Sequence, residues 1–285
     1  MNAVTGEPKP ATDVKCELAE NPLWHGETNS IFWTDITAGK IFRFHLATGE
    51  CEMVYHGKPV GGFTFQENGE LLLFRVNDLA LLTLDGEERS FRKYSDDGMT
   101  RFNDVIAAPD GGVFAGTIGK TKESGGLYRV DVDGSIRKLF SGTGCSNGMG
   151  FSPDRKVFYW TNSTTGEIFQ FDYDGETGSI SHRRLFYRTT PDEGVPDGLT
   201  VDTEGCIWSA RWGGASIVRH AKNGEVMERI NFPEKNITSV CFGGENLDRL
   251  FITAARLDAK SPTVTALFEL KVSARGKKEF RSRIC

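Results

Sequence analysis

SNGMGFSPDRKVFYWTNSTTGEIFQF, residues 146–171, reads as three short strands joined by two turns. SPDRK at 152–156 supplies the first turn, because Pro presets one backbone angle and Asp can bond its own backbone two residues on. VFYW at 157–160 and EIFQF at 167–171 are too short and too rich in aromatic and branched residues for helices.

The same pattern recurs along the chain. Second strands line up as IFWT at 31–34, LLLF at 71–74, VFAG at 113–116, VFYW at 157–160, IWSA at 207–210 and LFIT at 250–253. Third strands follow as KIFRF at 40–44, LALLTL at 79–84, GLYRV at 126–130, EIFQF at 167–171, SIVRH at 216–220 and ALFEL at 266–270. Turns between the first two strands include ENG at 67–69, PDGG at 109–112 and DTEG at 202–205. A four-stranded unit returning every 40–50 residues is the signature of a propeller. No long amphipathic helix pattern separates the strands, which excludes βαβ architectures. A β-sandwich also spaces strands closely, but six units in one register favour a single all-β, six-bladed β-propeller over residues 12–285. Val14–Leu18 reads as a spare strand that closes the last blade and hides its edge. Residues 1–11 are expected to be disordered.

Bulk properties agree. The 285 residues carry 33 Gly and 20 Phe, which suit many tight turns and half-buried strands. The formal charge of −5 argues against a nucleic-acid binder, and no apolar run is long enough to span a membrane. No leader-like segment opens the chain, and the six cysteines form no CxxC pair, so reduced thiols in a cytoplasmic protein are expected. The basic stretch from Lys271 to Arg283 reads as a solvated terminus. Monomer or weak homo-oligomer is the expected state.

The register also places a candidate site. Residues opening each first strand are Glu20, Gly61, Asn103, Asn147, Asp197 and Thr238, at intervals of 41, 42, 44, 50 and 41 residues. Eight positions beyond each lies a turn residue: Thr28, Gly69, Gly111, Arg155, Gly205 and Asn246. First strands of a propeller line its central channel, so these six form a ring. Two carboxylates and two amides aimed at one axis call for a bridging partner, and a hard divalent cation prefers such oxygens. The bland alternative is that each polar residue merely satisfies a turn. Cys145 reads as a small buried thiol, and the five histidines share no register. Trp208 and Trp212 read as packing between blades, with Trp212 able to reach the mouth.

ENPLW at 20–24, RFND at 101–104, SNGMGFSPD at 146–154 and PDGLTVDTEGCIW at 196–208 together resemble the signature segments of the senescence marker protein, gluconolactonase and luciferin-regenerating enzyme family. That resemblance implies a six-bladed propeller with one divalent cation held by Glu20, Asn147 and Asp197. Calcium is the first candidate, with zinc, magnesium, manganese or ferrous iron also used in the family. It implies sugar contacts from Arg101 and Asn103, and hydrolysis of an aldonolactone to the aldonic acid with Asp197 as general base. Two departures stand out. Ala19-Glu20-Asn21-Pro22 replaces the usual Gly-Glu-Gly-Pro, and Lys120 and Thr121 occupy the region where regucalcin-like members carry an acidic substrate contact. A phosphotriesterase-like or strictosidine-synthase-like hydrolase and a non-catalytic calcium-binding propeller are the alternatives.

Overall fold

A computed structural model describes residues 3–285 and shows six four-stranded antiparallel sheets. Blade 1 runs through Ala19–His25, Ser30–Asp35, Lys40–His45 and Cys51–His56. Blade 2 comprises Gly62–Phe65, Leu71–Phe74, Asp78–Leu82 and Glu88–Lys93, and blade 3 Met99–Ala107, Val113–Gly119, Gly125–Val130 and Ile136–Thr143. Blade 4 holds Ser146–Phe151, Val157–Asn162, Glu167–Asp174 and Ser179–Arg188, and blade 5 Val195–Val201, Ile207–Trp212, Ser216–His220 and Val226–Asn231. Blade 6 takes Asn236–Gly243, Arg249–Ala255 and Leu267–Lys271 from its own end of the chain, and Lys9–Pro10 from the other. The only helical segments among the described residues are single turns at Gly26–Thr28 and Pro191–Glu193, and no helix is long and apolar enough to cross a membrane.

Turn chemistry explains the repeat. Gly69, Gly111, Arg155 and Gly205 all sit at positive φ, eight residues past their strand openings as the register requires. In blades 1 and 6 the left-handed residue moves one place on, to Asn29 and Leu247. Each first strand therefore meets its second at nearly the same depth, which keeps the six openings level.

Apolar residues stack between blades, not within them. Phe32, Ile41, Phe63 and Leu73 join blades 1 and 2, while Phe114, Leu127, Phe151 and Trp160 join blades 3 and 4. Trp208, Ile217, Ile252 and Phe268 join blades 5 and 6, with Trp208 fully buried. Cys16, Trp33, Phe251 and Leu267 seal the last blade to the first. Burying a side chain of this size contributes about 1.5–3 kcal/mol, so these contacts hold the ring shut. All six cysteines are free.

Closure differs in detail from the sequence reading. The outermost strand of blade 6 is Lys9–Pro10, paired with Glu269 and Phe268, and not the later Val14–Leu18 segment. The latter passes deeper, with Lys15–Cys16 against Val264–Thr265 and Leu18 bridged to Ala255. Residues 3–11, where disorder was expected, run along the blade: Val4 bridges Val272 and Ala3 is buried. An edge strand's unpaired backbone groups attract any free segment able to satisfy them. Residues 1 and 2 of that stretch lie outside the described residues.

The basic C-terminal stretch is likewise packed. Gly276 bridges Asp202 of blade 5, Phe280 packs edge-on against Phe151 of blade 4, and Arg281 pairs with Glu27 of blade 1 at 2.6 Å. Gln66 of blade 2 holds both backbone groups of Ile284, at 2.9 and 3.0 Å, and Cys285 N–H donates to Val132 of blade 3. The tail is thus a strap tying the blades across the lower end of the channel. Ile284→Ala should lower stability by about 2 kcal/mol, the lower end for buried aliphatic truncation. Deleting 275–285 should cost more, with blade content retained in far-UV circular dichroism; unchanged thermal unfolding of both variants would contradict the strap.

Candidate functional site

The strands that line the channel do not run straight past the ring positions. Register shifts occur at Glu20/Leu23, Phe102/Val105, Asn147/Met149, Pro196/Leu199 and Ile237/Ser239. Five of six first strands therefore bulge at or beside the residue that opens the ring. A bulge inserts one extra residue and re-aims a side chain. Here it gathers polar side chains toward the channel from strands that otherwise alternate in and out.

Glycine permits the close approach. A Cβ on Gly148 would overlap the Asp197 carbonyl, and one on Gly198 would overlap the Ser239 side chain. The Asn-Gly pair of blade 4 thus packs backbone to backbone against blade 5, and the Asp-Gly pair of blade 5 makes room for the Ser239 side chain of blade 6.

Glu20, Asn103, Asn147 and Asp197 are all buried, at 3–7% exposure. Gly61 contributes no side chain, and Thr238 turns away to donate to the Ala19 carbonyl at 2.6 Å. The ring thus reduces to four polar members from blades 1, 3, 4 and 5. Arg101 donates to the Phe102 carbonyl at 2.9 Å and to Asn103 Oδ1 at 2.6 Å. Asn103 Nδ2 donates to Asn147 Oδ1 and to the Ser146 carbonyl, each at 3.0 Å. Arg101 forms no ion pair with an acid among the described residues, so it is not a surface salt bridge. Asn21, the unusual residue after Glu20, takes positive φ and accepts from Phe63 N–H at 2.6 Å, pinning blade 1 to blade 2.

Sequence reasoning missed a third carboxyl. Asp104 follows Asn103 within the blade 3 bulge and lies close enough to Glu20 and Asp197 to disfavour their ionisation. Burial, then the Asp104 charge, pushes the Glu20 carboxyl up to about 8. Burial pushes Asp104 up to about 7, and burial with the Glu20 and Asp104 charges raises Asp197 well above the usual range. Burial also lowers Arg101, which the neighbouring acids only partly offset. Asp197 Oδ1 is buried without a hydrogen-bond partner. A buried carboxylate oxygen left unpaired is costly. Three carboxyls, one of them with an orphaned oxygen, and two amide oxygens make a donor set suited to a hard divalent cation.

Cys145 is half-buried beside this cluster, with Sγ 3.5 Å from Asn147 Nδ2. Burial and the Asp197 charge push its thiol up to about 12, and no histidine bonds it. A thiol held protonated with no base beside it makes a poor nucleophile. His220, the most buried histidine, is held neutral between Arg211 and the Gly224 carbonyl. The loop carrying Lys120 and Thr121 leans on Gly144, next to Cys145, so it borders the cluster. Trp212 is partly exposed at the same end of blade 5.

Two other features compete for attention. Asp202, Glu204 and Cys206 cluster on blade 5, but Arg219 already binds both carboxylates, at 2.8 and 2.7 Å. A guanidinium fills the role a cation would take. A cavity of about 640 Å³ lies at the opposite mouth, under the strap, walled by Trp24, Phe65, Val105, Phe242 and Phe280. It does not touch the acidic cluster.

Comparison with known proteins identifies the family and the fold. The SMP-30/gluconolactonase/LRE-like region matches residues 18–256. The chain belongs to that family. The pentonolactonase XacC of Haloferax volcanii is 38% identical over 282 residues, covering 95% of this chain and 97% of the relative. Regucalcin of Danio rerio is 33% identical, covering 90% and 91%. Among solved structures, a calcium-binding protein, regucalcin, from Agrobacterium tumefaciens superposes with a TM-score of 0.89 at 26% identity, covering 100% and 98%. A luciferin-regenerating enzyme shares the fold with a TM-score of 0.87 at 24% identity, covering 95% and 96%.

The cluster should carry a stability cost when no cation is present. Asp197→Asn removes the cost, on the order of 1 kcal/mol, of holding this buried carboxyl away from its ordinary ionisation at neutral pH. In chelator at neutral pH it should melt about 2–4 °C above wild type. A lower melting temperature would show that Asp197 is already compensated within the protein.

Proposed function

We propose that this protein is a metal-dependent lactonase that opens a sugar (aldono) lactone to the aldonic acid. The observation that carries the reading is the buried convergence of Glu20, Asn147 and Asp197 beside Arg101 and Asn103, with one Asp197 oxygen unpartnered. Similarity to a pentonolactonase over nearly the whole chain supports the substrate class.

Glu20, Asn147 and Asp197 would hold one divalent cation, calcium by the preference of their all-oxygen donor set. When bound, it supplies Lewis-acid polarisation of the lactone carbonyl and balances the charge that grows on its oxygen. The remaining work falls to the chain. Arg101 presents N–H groups in a fixed planar fork, suited to ring hydroxyls or the ester oxygens. Asn103 Oδ1 receives Arg101, so these two residues orient the sugar as a unit. Asp197 has an oxygen to spare for a water proton, and its poor ionisation in the cation-free cluster rises as charge is neutralised. Burial of the carboxyls keeps bulk water from screening these interactions.

The test is a pH-change assay on a panel of aldonolactones, using stripped protein reloaded with single cations. Calcium should restore turnover, and Asp197→Asn should lower kcat about 10²–10⁴-fold, the range for loss of a general base. Arg101→Ala should lower kcat/KM about 10–100-fold, mainly through KM, as expected for a lost charged hydrogen bond. Full activity of stripped protein, or no hydrolysis of any lactone, would overturn the reading.

A further inference from the structure

The hydrogen bonds around the cluster form a chain with one direction. Arg101 donates to Asn103, and Asn103 donates to Asn147. Asn147 Nδ2 then donates to Ser163 Oγ at 3.1 Å. Ser163 Oγ in turn donates to the Pro196 carbonyl at 2.6 Å, one residue before Asp197. Ser163 is itself buried, in the turn that follows the second strand of blade 4.

Both ends of this chain admit one polarity only. A guanidinium has no acceptor, and a carbonyl has no donor. Every amide between them is therefore forced. Asn103 must turn its oxygen to Arg101 and its nitrogen to Asn147, so Asn147 must turn its oxygen to Asn103 and its nitrogen to Ser163. One lone pair of Asn147 Oδ1 then remains free, because a carbonyl oxygen can accept twice. Aligned donors also strengthen one another in a low-dielectric interior.

We propose that Ser163 is a positioning residue that locks the Asn147 amide with its oxygen toward the cluster and ties that amide to the backbone carrying Asp197. Without its hydroxyl, the Asn147 N–H₂ group keeps only the weak Cys145 sulfur at 3.5 Å. The amide is then held from one side only, by Asn103 Nδ2, and its oxygen can swing away from the position a cation needs. This role deepens the lactonase reading and rests on it for its cation-binding consequence. The relay itself does not.

Two measurements separate these. Calorimetric titration of calcium into wild type, Ser163→Ala and Ser163→Thr should show about ten-fold weaker binding for the alanine variant, the lower end for losing a group that orients a ligand. Threonine, which restores the hydroxyl, should recover most of it. Equal affinity in wild type and Ser163→Ala would overturn the proposal. The second is a double-mutant cycle of Ser163→Ala with Asn147→Ala, read by denaturant unfolding in chelator. Here the shifts should be clearly non-additive, because both changes cut one bond. Additive shifts would overturn the relay whether or not wild type binds calcium. Absence of calcium binding by wild type together with non-additive shifts would reject the lactonase metal site and keep the relay.

Discussion

Three carboxyls gathered around one axis, two of them buried and the third half-buried, set the central constraint on this molecule. Glu20, Asp104 and Asp197 come from blades 1, 3 and 5; burial holds each above its ordinary ionisation range, and neighbouring carboxylate charge adds to the shift at Glu20 and Asp197. Such a cluster persists only where the surrounding structure over-determines it. The surroundings here are six apolar interfaces, one between each pair of blades, closed into a ring. Those contacts stabilise the frame, while the cluster they enclose works against it.

The frame is fastened at both chain ends. Lys9–Pro10 supplies the outer edge of blade 6 and Lys15–Cys16 pairs deeper with Val264–Thr265, while residues 275–285 cross the lower mouth to reach blades 5, 4, 1, 2 and 3. A ring of separate sheets is weakest where the first meets the last, and here residues 16–19 carry the chain across that seam, from blade 6 into blade 1. Cys16, Trp33, Phe251 and Leu267 fill the seam with apolar contact, and Arg256 with Glu17 crosses it at 2.8 Å. The strap also roofs the lower cavity, which leaves the acidic cluster at the other end of the channel.

Much of the site was legible because propeller geometry converts register into convergence. Six strand openings at near-equal spacing must meet at the axis once the blades form. Arg101, Asn103, Asn147 and Asp197 were found that way or through their motifs, and they do lie together. Asp104 was not found. One residue past a ring position in a regular strand should point the other way, and only the blade 3 bulge brings it inward. Ser163 was missed for a different reason. It lies outside the inner strands, in a turn whose Ser and Thr residues look like ordinary turn chemistry.

What the chain determined by itself was local and periodic: alternating apolar strands, Gly and Asn at turns needing positive φ, and a unit repeated six times. These follow from steric limits on single residues and from the two-residue pleat. Tertiary structure alone decided the paths of the two ends, the bulges that aim side chains at the axis, and the direction of the hydrogen-bond chain ending at Pro196. Each of these depends on partners far away in sequence. A short polar or basic segment carries no sign of which exposed edge will satisfy its backbone. That is why Lys9–Pro10 and the basic C-terminal strap, both of which read as loose ends, pack against the blades.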